Sequence, residues 1–85
     1  MKIIYTKHAL IKFNDLKLLG IKTTKKTIKE IIKNPDNLDE DTDPPKIIAS
    51  GSYSHNLILR IVYRQEGDII IIITFYPAKK GRYYI

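Results

Sequence analysis

Cysteine is absent from the 85-residue chain. That excludes disulfide staples and thiolate metal sites, and it allows a reducing compartment. The chain also lacks a phosphate-cradling glycine loop and the H-E-x-x-H spacing of a zinc hydrolase. His8 and His55 are its only histidines. They are too few and too far apart to supply the three or four ligands of a typical zinc site, so no metal is expected. The apolar run IIIIITFY falls well short of the roughly 18 residues that suggest a membrane span. The opening MKIIYTKHAL is too short and too charged for a signal peptide. These absences together predict a soluble cytoplasmic protein with no membrane partner.

What the chain does contain is enough apolar sequence for one small core. A chain of this length makes one domain, 1–85, and buries only about 60% of its unfolded surface. The apolar fraction is 44%, rich in isoleucine. Charge is uneven: residues 1–34 carry nine lysines against Asp15 and Glu30. Residues 35–45 carry five acids and no base, and residues 46–85 carry six bases against Glu66 and Asp68. A basic body with one acidic stretch favours a polyanionic partner such as nucleic acid. The plainer alternative is lysine kept for solubility in an isoleucine- and lysine-rich proteome.

Ile3–Tyr5 reads as a short strand or an extended lead-in, and Thr6 as the N-cap of a helix from Lys7. Ala9, Leu10, Phe13, Leu16 and Leu18 or Leu19 recur at helical steps, and Gly20 ends the helix. Thr23 or Thr24 caps a second helix presenting Ile28, Ile31 and Ile32, which stops at Asn34-Pro35. The stretch DNLDEDTDPP reads as a connector. Strands follow in KIIAS, HNLILRIVYR and DIIIIITFY, with GSYS and QEGD as turns, and GRYYI as a short fourth strand.

The QEGD turn is expected to be a three-residue loop with Gly67 left-handed, which sets Arg64 opposite Asp68. Odd-numbered Leu57, Leu59, Ile61, Tyr63, Ile69, Ile71, Ile73 and Phe75 then share a face for the helices to cover. The even face mixes Asn56, Ile58, Arg60, Val62 and Arg64 with Ile70, Ile72, Thr74 and Tyr76. The expected fold class is α+β: two N-terminal helices packed on one face of a twisted three- to four-stranded antiparallel sheet. Its other face is expected to be open and partly basic.

On that open face Arg60 and Arg64, four apart on one strand, point the same way and offer planar forks suited to phosphate. Arg64 also reads as the ion-pair partner of Asp68 across the turn. His8, in the first helical turn, could act as acid or base near neutral pH. Lys79, Lys80, Arg82, Tyr83 and Tyr84 interleave bases with rings, which suits RNA; the same pattern suits an edge strand blunted by lysines.

YTKHALIKF, LGIKTTKKTIKEIIKNPD and LRIVYRQEGDIIIIITFYPAKKGRYY together resemble a family of small domains. Its members open with a T-x-H-A-L helix, pass through a G-I-[ST] turn and a helix ending N-P-[DE], and close with a hairpin and a Y-P-A-type strand end. The family looks related to the RelE/ParE and BrnT-like toxins. The resemblance implies a RelE-like fold and a toxin-like endoribonuclease of a toxin–antitoxin system, which needs no metal and no cofactor. Its partners would be RNA, free or on the ribosome, and an acidic antitoxin. It places His8, Arg60, Lys79, Arg82 and Tyr83 in the catalytic site, with a lysine as the alternative base and Tyr84 as the alternative tyrosine. Arg64, Tyr76, Lys80 and Tyr84 would line the RNA path. More arginines in the first helix would be typical of the family, where this chain has Lys12 and Phe13, and ParE-like relatives are not ribonucleases. Two readings stand beside the enzyme: a non-catalytic RNA- or protein-binding module, and a structural protein whose basic face covers an acidic peptide.

Overall fold

The computed structural model describes residues 1–80. The GRYYI stretch, and with it Arg82, Tyr83 and Tyr84, lies outside the described residues. Among these, strands β1 (Lys2–Tyr5), β2 (Asn37–Asp39), β3 (Ile47–Ser52), β4 (Leu57–Glu66) and β5 (Ile69–Lys79) form one sheet with helices α1 (Lys7–Leu18) and α2 (Lys25–Lys33). The sheet runs β1-β5-β4-β3-β2. All neighbours are antiparallel except β1, which lies parallel to β5. The fold is thus α+β, but the sheet is mixed and has five strands rather than three or four antiparallel ones. β1 can sit parallel because α1 and most of the chain separate it from β5, the kind of crossover that parallel pairing requires.

Both helices begin where their caps predict. The Thr6 hydroxyl accepts from the Ala9 N–H at 3.1 Å, and the Thr24 hydroxyl accepts from the Thr27 N–H at 3.2 Å. Such caps satisfy amide groups that the first turn leaves orphaned. In α2, Ile28, Ile31 and Ile32 are buried as their spacing requires. Gly51 lets this helix approach β3 closely: a Cβ there would meet the Ile31 Cγ1 at 2.7 Å. In α1, Ala9 and Leu16 are buried and Phe13 packs against Phe75 with ring centroids 4.8 Å apart. Leu10, Leu18 and Leu19 do not join them and remain exposed. Twelve helical residues resting on one side of a sheet need only one narrow apolar stripe.

The β4–β5 hairpin departs from the expected register. Glu66 pairs with Ile69 across a two-residue turn, and Gly67 has φ 61°, as a type II′ turn requires of its first central residue. Arg64 therefore faces Ile71, not Asp68. The register then shifts between Val62 and Tyr63, which pair with Thr74 and Ile72 and leave Ile73 as an extra residue. This β-bulge swaps the parity of β5. Ile70 and Ile72 enter the core before it and Phe75 after it, beside Leu59, Ile61 and Tyr63. Ile69, Ile71 and Ile73 are only half-buried, and alternation turns Ile69 and Ile71 to the other face. The bulge is also tied to α1, because the Thr6 hydroxyl donates to the Ile73 carbonyl at 3.0 Å.

Two segments are more ordered than expected. Within the acidic connector, Asn37–Asp39 pairs with Ser50–Ile48. Gly51 and Ser52 continue β3, and the turn falls on Tyr53–Asn56, where the Tyr53 and Ser54 N–H groups donate to the Leu57 carbonyl.

Candidate nucleic-acid interface

The face of the sheet away from the helices carries a row of polar residues set by pairing alone. Asn37 lies beside Ser50, Ser50 beside Arg60, and Arg60 beside Tyr76. Residues paired across neighbouring strands project to the same side. The row therefore crosses β2, β3, β4 and β5 on the face opposite Leu59, Ile61 and Phe75.

Arg60 is the centre of this row. It is only 6% exposed, and Ser50 is fully buried. The Arg60 Nε–H donates to the Tyr76 hydroxyl at 3.0 Å, and an NH1 hydrogen reaches the Ser50 hydroxyl at 3.5 Å. The guanidinium carbon lies 5.8 Å from the Tyr76 ring centre, within cation–π range. In accepting from Arg60 the phenol keeps its own proton available to donate. In the next row, Asp39 pairs with Ile48, which pairs with Val62. The Asp39 carboxyl is held below its ordinary value chiefly by the Thr42 hydroxyl at 2.6 Å, then by the Thr42 and Asp41 N–H groups, with a small contribution from the Arg60 charge.

The other candidate residues fall in different places. Arg64 is exposed and bonds to Glu66 rather than Asp68, with Nε at 2.9 Å and NH2 at 2.8 Å from Oε2. The short turn puts Asp68 past the strand end, whereas Glu66 shares the strand and face with Arg64, two residues on. His8 is exposed in the first turn of α1, on the helix side of the sheet, so it and Arg60 do not converge. Lys79 is exposed at the end of β5 opposite Leu57, which alternation also assigns to the helix side. Lys80 is exposed, and its N–H donates to the Asn56 carbonyl. The row joins Arg60 to Tyr76 and adds Ser50 and Asn37. Those two were missed because only the β2–β3–β4 register reveals them; a short strand reading I-I-A-S-G-S carries no sign of an arginine beside its first serine.

Charge is distributed differently from the expected basic open face. Alternation places Lys2, Arg60 and Arg64 there with Asp39 and Glu66, a near balance. Residues 7–33, which span both helices, carry eight lysines against Asp15 and Glu30. Among the described residues, no three His, Asp or Glu side chains converge as metal ligands, and no helix is long and apolar enough to cross a membrane.

Comparison of the chain with protein-family models, with curated proteins and with solved structures finds no match.

Proposed function

We propose that the protein binds single-stranded RNA across the sheet face away from the helices, as a small RelE-like domain of a toxin–antitoxin type system, with the half-buried Tyr76 at the contact and the largely buried Arg60 behind it. The observation that carries this reading is the Asn37–Ser50–Arg60–Tyr76 row. An arginine fork backed by a phenol and a hydroxyl suits a phosphate, and a tyrosine face suits an unstacked base. The helical lysines add long-range attraction for a polyanion without having to touch the bases. Salt-sensitive binding of an RNA oligonucleotide, weakened by Tyr76→Phe and by Arg60→Lys, tests the proposal. RNA affinity unchanged in both variants would remove the row from it.

The Arg60–Tyr76 contact also favours a second reading, metal-independent endoribonuclease activity. The substrate's own 2′-hydroxyl would give up its proton to solvent water as it attacks the adjacent phosphate, displacing the 5′-oxygen of the next nucleotide and leaving a 2′,3′-cyclic phosphate. Arg60 would stabilise the charge on the phosphorane, and the Tyr76 hydroxyl would protonate the departing oxygen. His8 has no place in this arrangement. Cleavage of RNA in EDTA that is lost in Tyr76→Phe while binding persists supports the enzyme. Binding without cleavage by the wild type, on naked RNA and on ribosomes, selects the non-catalytic module.

A further inference from the structure

The acidic stretch and the first helix sit at opposite edges of one sheet. β2 is an edge strand held by β3, whereas α1 packs over β5 and β1 at the far edge. Residues 36–43 therefore cannot reach their own α1 without leaving the sheet. Leu38, at the middle of β2, is 43% exposed. It lies beside Ala49, and Ala49 beside Ile61, so it projects to the helix side. Asp36, Glu40 and Asp41 around it are exposed, and among the described residues none of the three forms an ion pair. On the same side of the sheet, Leu10 and Phe13 wall an open groove of about 360 Å³ between α1 and the α1–α2 connection. Leu10 is itself 47% exposed. Lys17 and Lys22 line the groove, exposed and in no ion pair among the described residues. One chain thus carries an exposed leucine flanked by carboxylates, and a groove with an apolar wall and an ammonium rim.

We propose that the acidic β2 edge of one copy docks in the α1 groove of a second copy of this chain. Leu38 would cover Leu10 and Phe13, while Glu40 and Asp41 would meet Lys17 and Lys22. Burial of the leucine supplies affinity, and the rim charges supply register and speed of encounter. Both surfaces lie on the helix side, so one two-fold axis lets each copy give its acidic edge and receive the other's. The result is an isologous dimer with the same contact made twice. Charge alone would bring any polyanion to these lysines. What favours a second copy is that Leu38 and its carboxylates are a fixed part of this chain, complementary to the groove and unable to reach it within one molecule. A nucleic-acid strand would use the lysines but leave Leu38 and the acidic edge uncovered. The contact lies on the opposite side of the sheet from Arg60, so it is independent of RNA binding there.

The test is sedimentation velocity of the full chain, nuclease-treated, over a range of protein concentration and salt. A concentration-dependent dimer that weakens as salt rises is expected. The dimer dissociation constant should rise about tenfold or more in Lys17→Glu/Lys22→Glu, and likewise in Glu40→Lys/Asp41→Lys, because like charges then face each other. Both pairs are exposed, and the second leaves the Asp39–Thr42 bonds in place, so circular dichroism should show each variant folded. Mixing the two variants in equal amounts should restore the dimer, since each reversed groove then meets a reversed edge. Leu38→Ser should weaken the dimer without a change of charge, and Tyr76→Phe should dimerise as the wild type does. A wild type that stays monomeric at its highest soluble concentration would overturn the proposal. So would a dimer untouched by either charge reversal, or a mixture of the two variants that stays monomeric.

Discussion

The helix side of the sheet buries Leu59, Ile61, Ile70, Ile72 and Phe75 under two helices. The other side carries the Asn37–Ser50–Arg60–Tyr76 row, with Ser50, Ile58 and Arg60 buried and half-buried isoleucines beyond them. Yet the helix layer holds most of the lysines, while the face away from the helices is nearly balanced in charge. Net charge and specific polar geometry therefore reside on different surfaces of this molecule. A basic composition predicts attraction to polyanions, but it does not say which surface makes the specific contact.

Breaking the helix side should have the largest effect on stability. Phe75 is fully buried and holds Phe13 against the sheet. Phe75→Ala should cost about 3–5 kcal/mol, read as a large drop in denaturant midpoint. Gly51→Val should cost about 1–3 kcal/mol by overpacking against Ile31, and a compensating Ile31→Ala should recover part of it. On the open face, Tyr76→Phe removes the acceptor of the Arg60 Nε–H. A loss of about 1–3 kcal/mol is expected if the guanidinium is left under-satisfied there, measured by urea unfolding.

The smallest effect is one of pH. Burial, with a smaller push from Glu40, raises the Tyr63 phenol above its ordinary value. The folded state then holds that proton more tightly than the unfolded chain does. Stability should be flat below about pH 10 and fall as pH rises from there towards the folded value. Tyr63→Phe should flatten part of that decline, and an unchanged alkaline profile would argue against a buried phenol.

How far each side could be read from the sequence follows the same division. Helix periodicity in α2, the Thr6 cap and the apolar alternation of Leu59, Ile61 and Tyr63 were legible because local spacing determines them. The swap at Ile73 was not, since five consecutive isoleucines offer no difference from which to read parity. A three-residue turn follows from unbroken alternation, because a two-residue turn without a bulge sets Arg60 opposite Phe75. The bulge removes that conflict: Arg64 faces Ile71, Arg60 faces Tyr76, and the core still closes. β2 was hidden in the acidic stretch, where three residues are too short for a pattern. Arg60 and Tyr76 could be picked out by residue type and parity. Their contact with each other and with Ser50 depended on register, which is a property of pairing rather than of composition.

The separation of charge from site is tested most directly by mapping amide shifts as a single-stranded RNA oligonucleotide is titrated into the full chain in EDTA. The account predicts the largest shifts at Ser50, Arg60 and Tyr76, with weaker, salt-sensitive shifts along the helical lysines. Shifts confined to residues 7–33, with the β3–β4–β5 row unmoved, would contradict it.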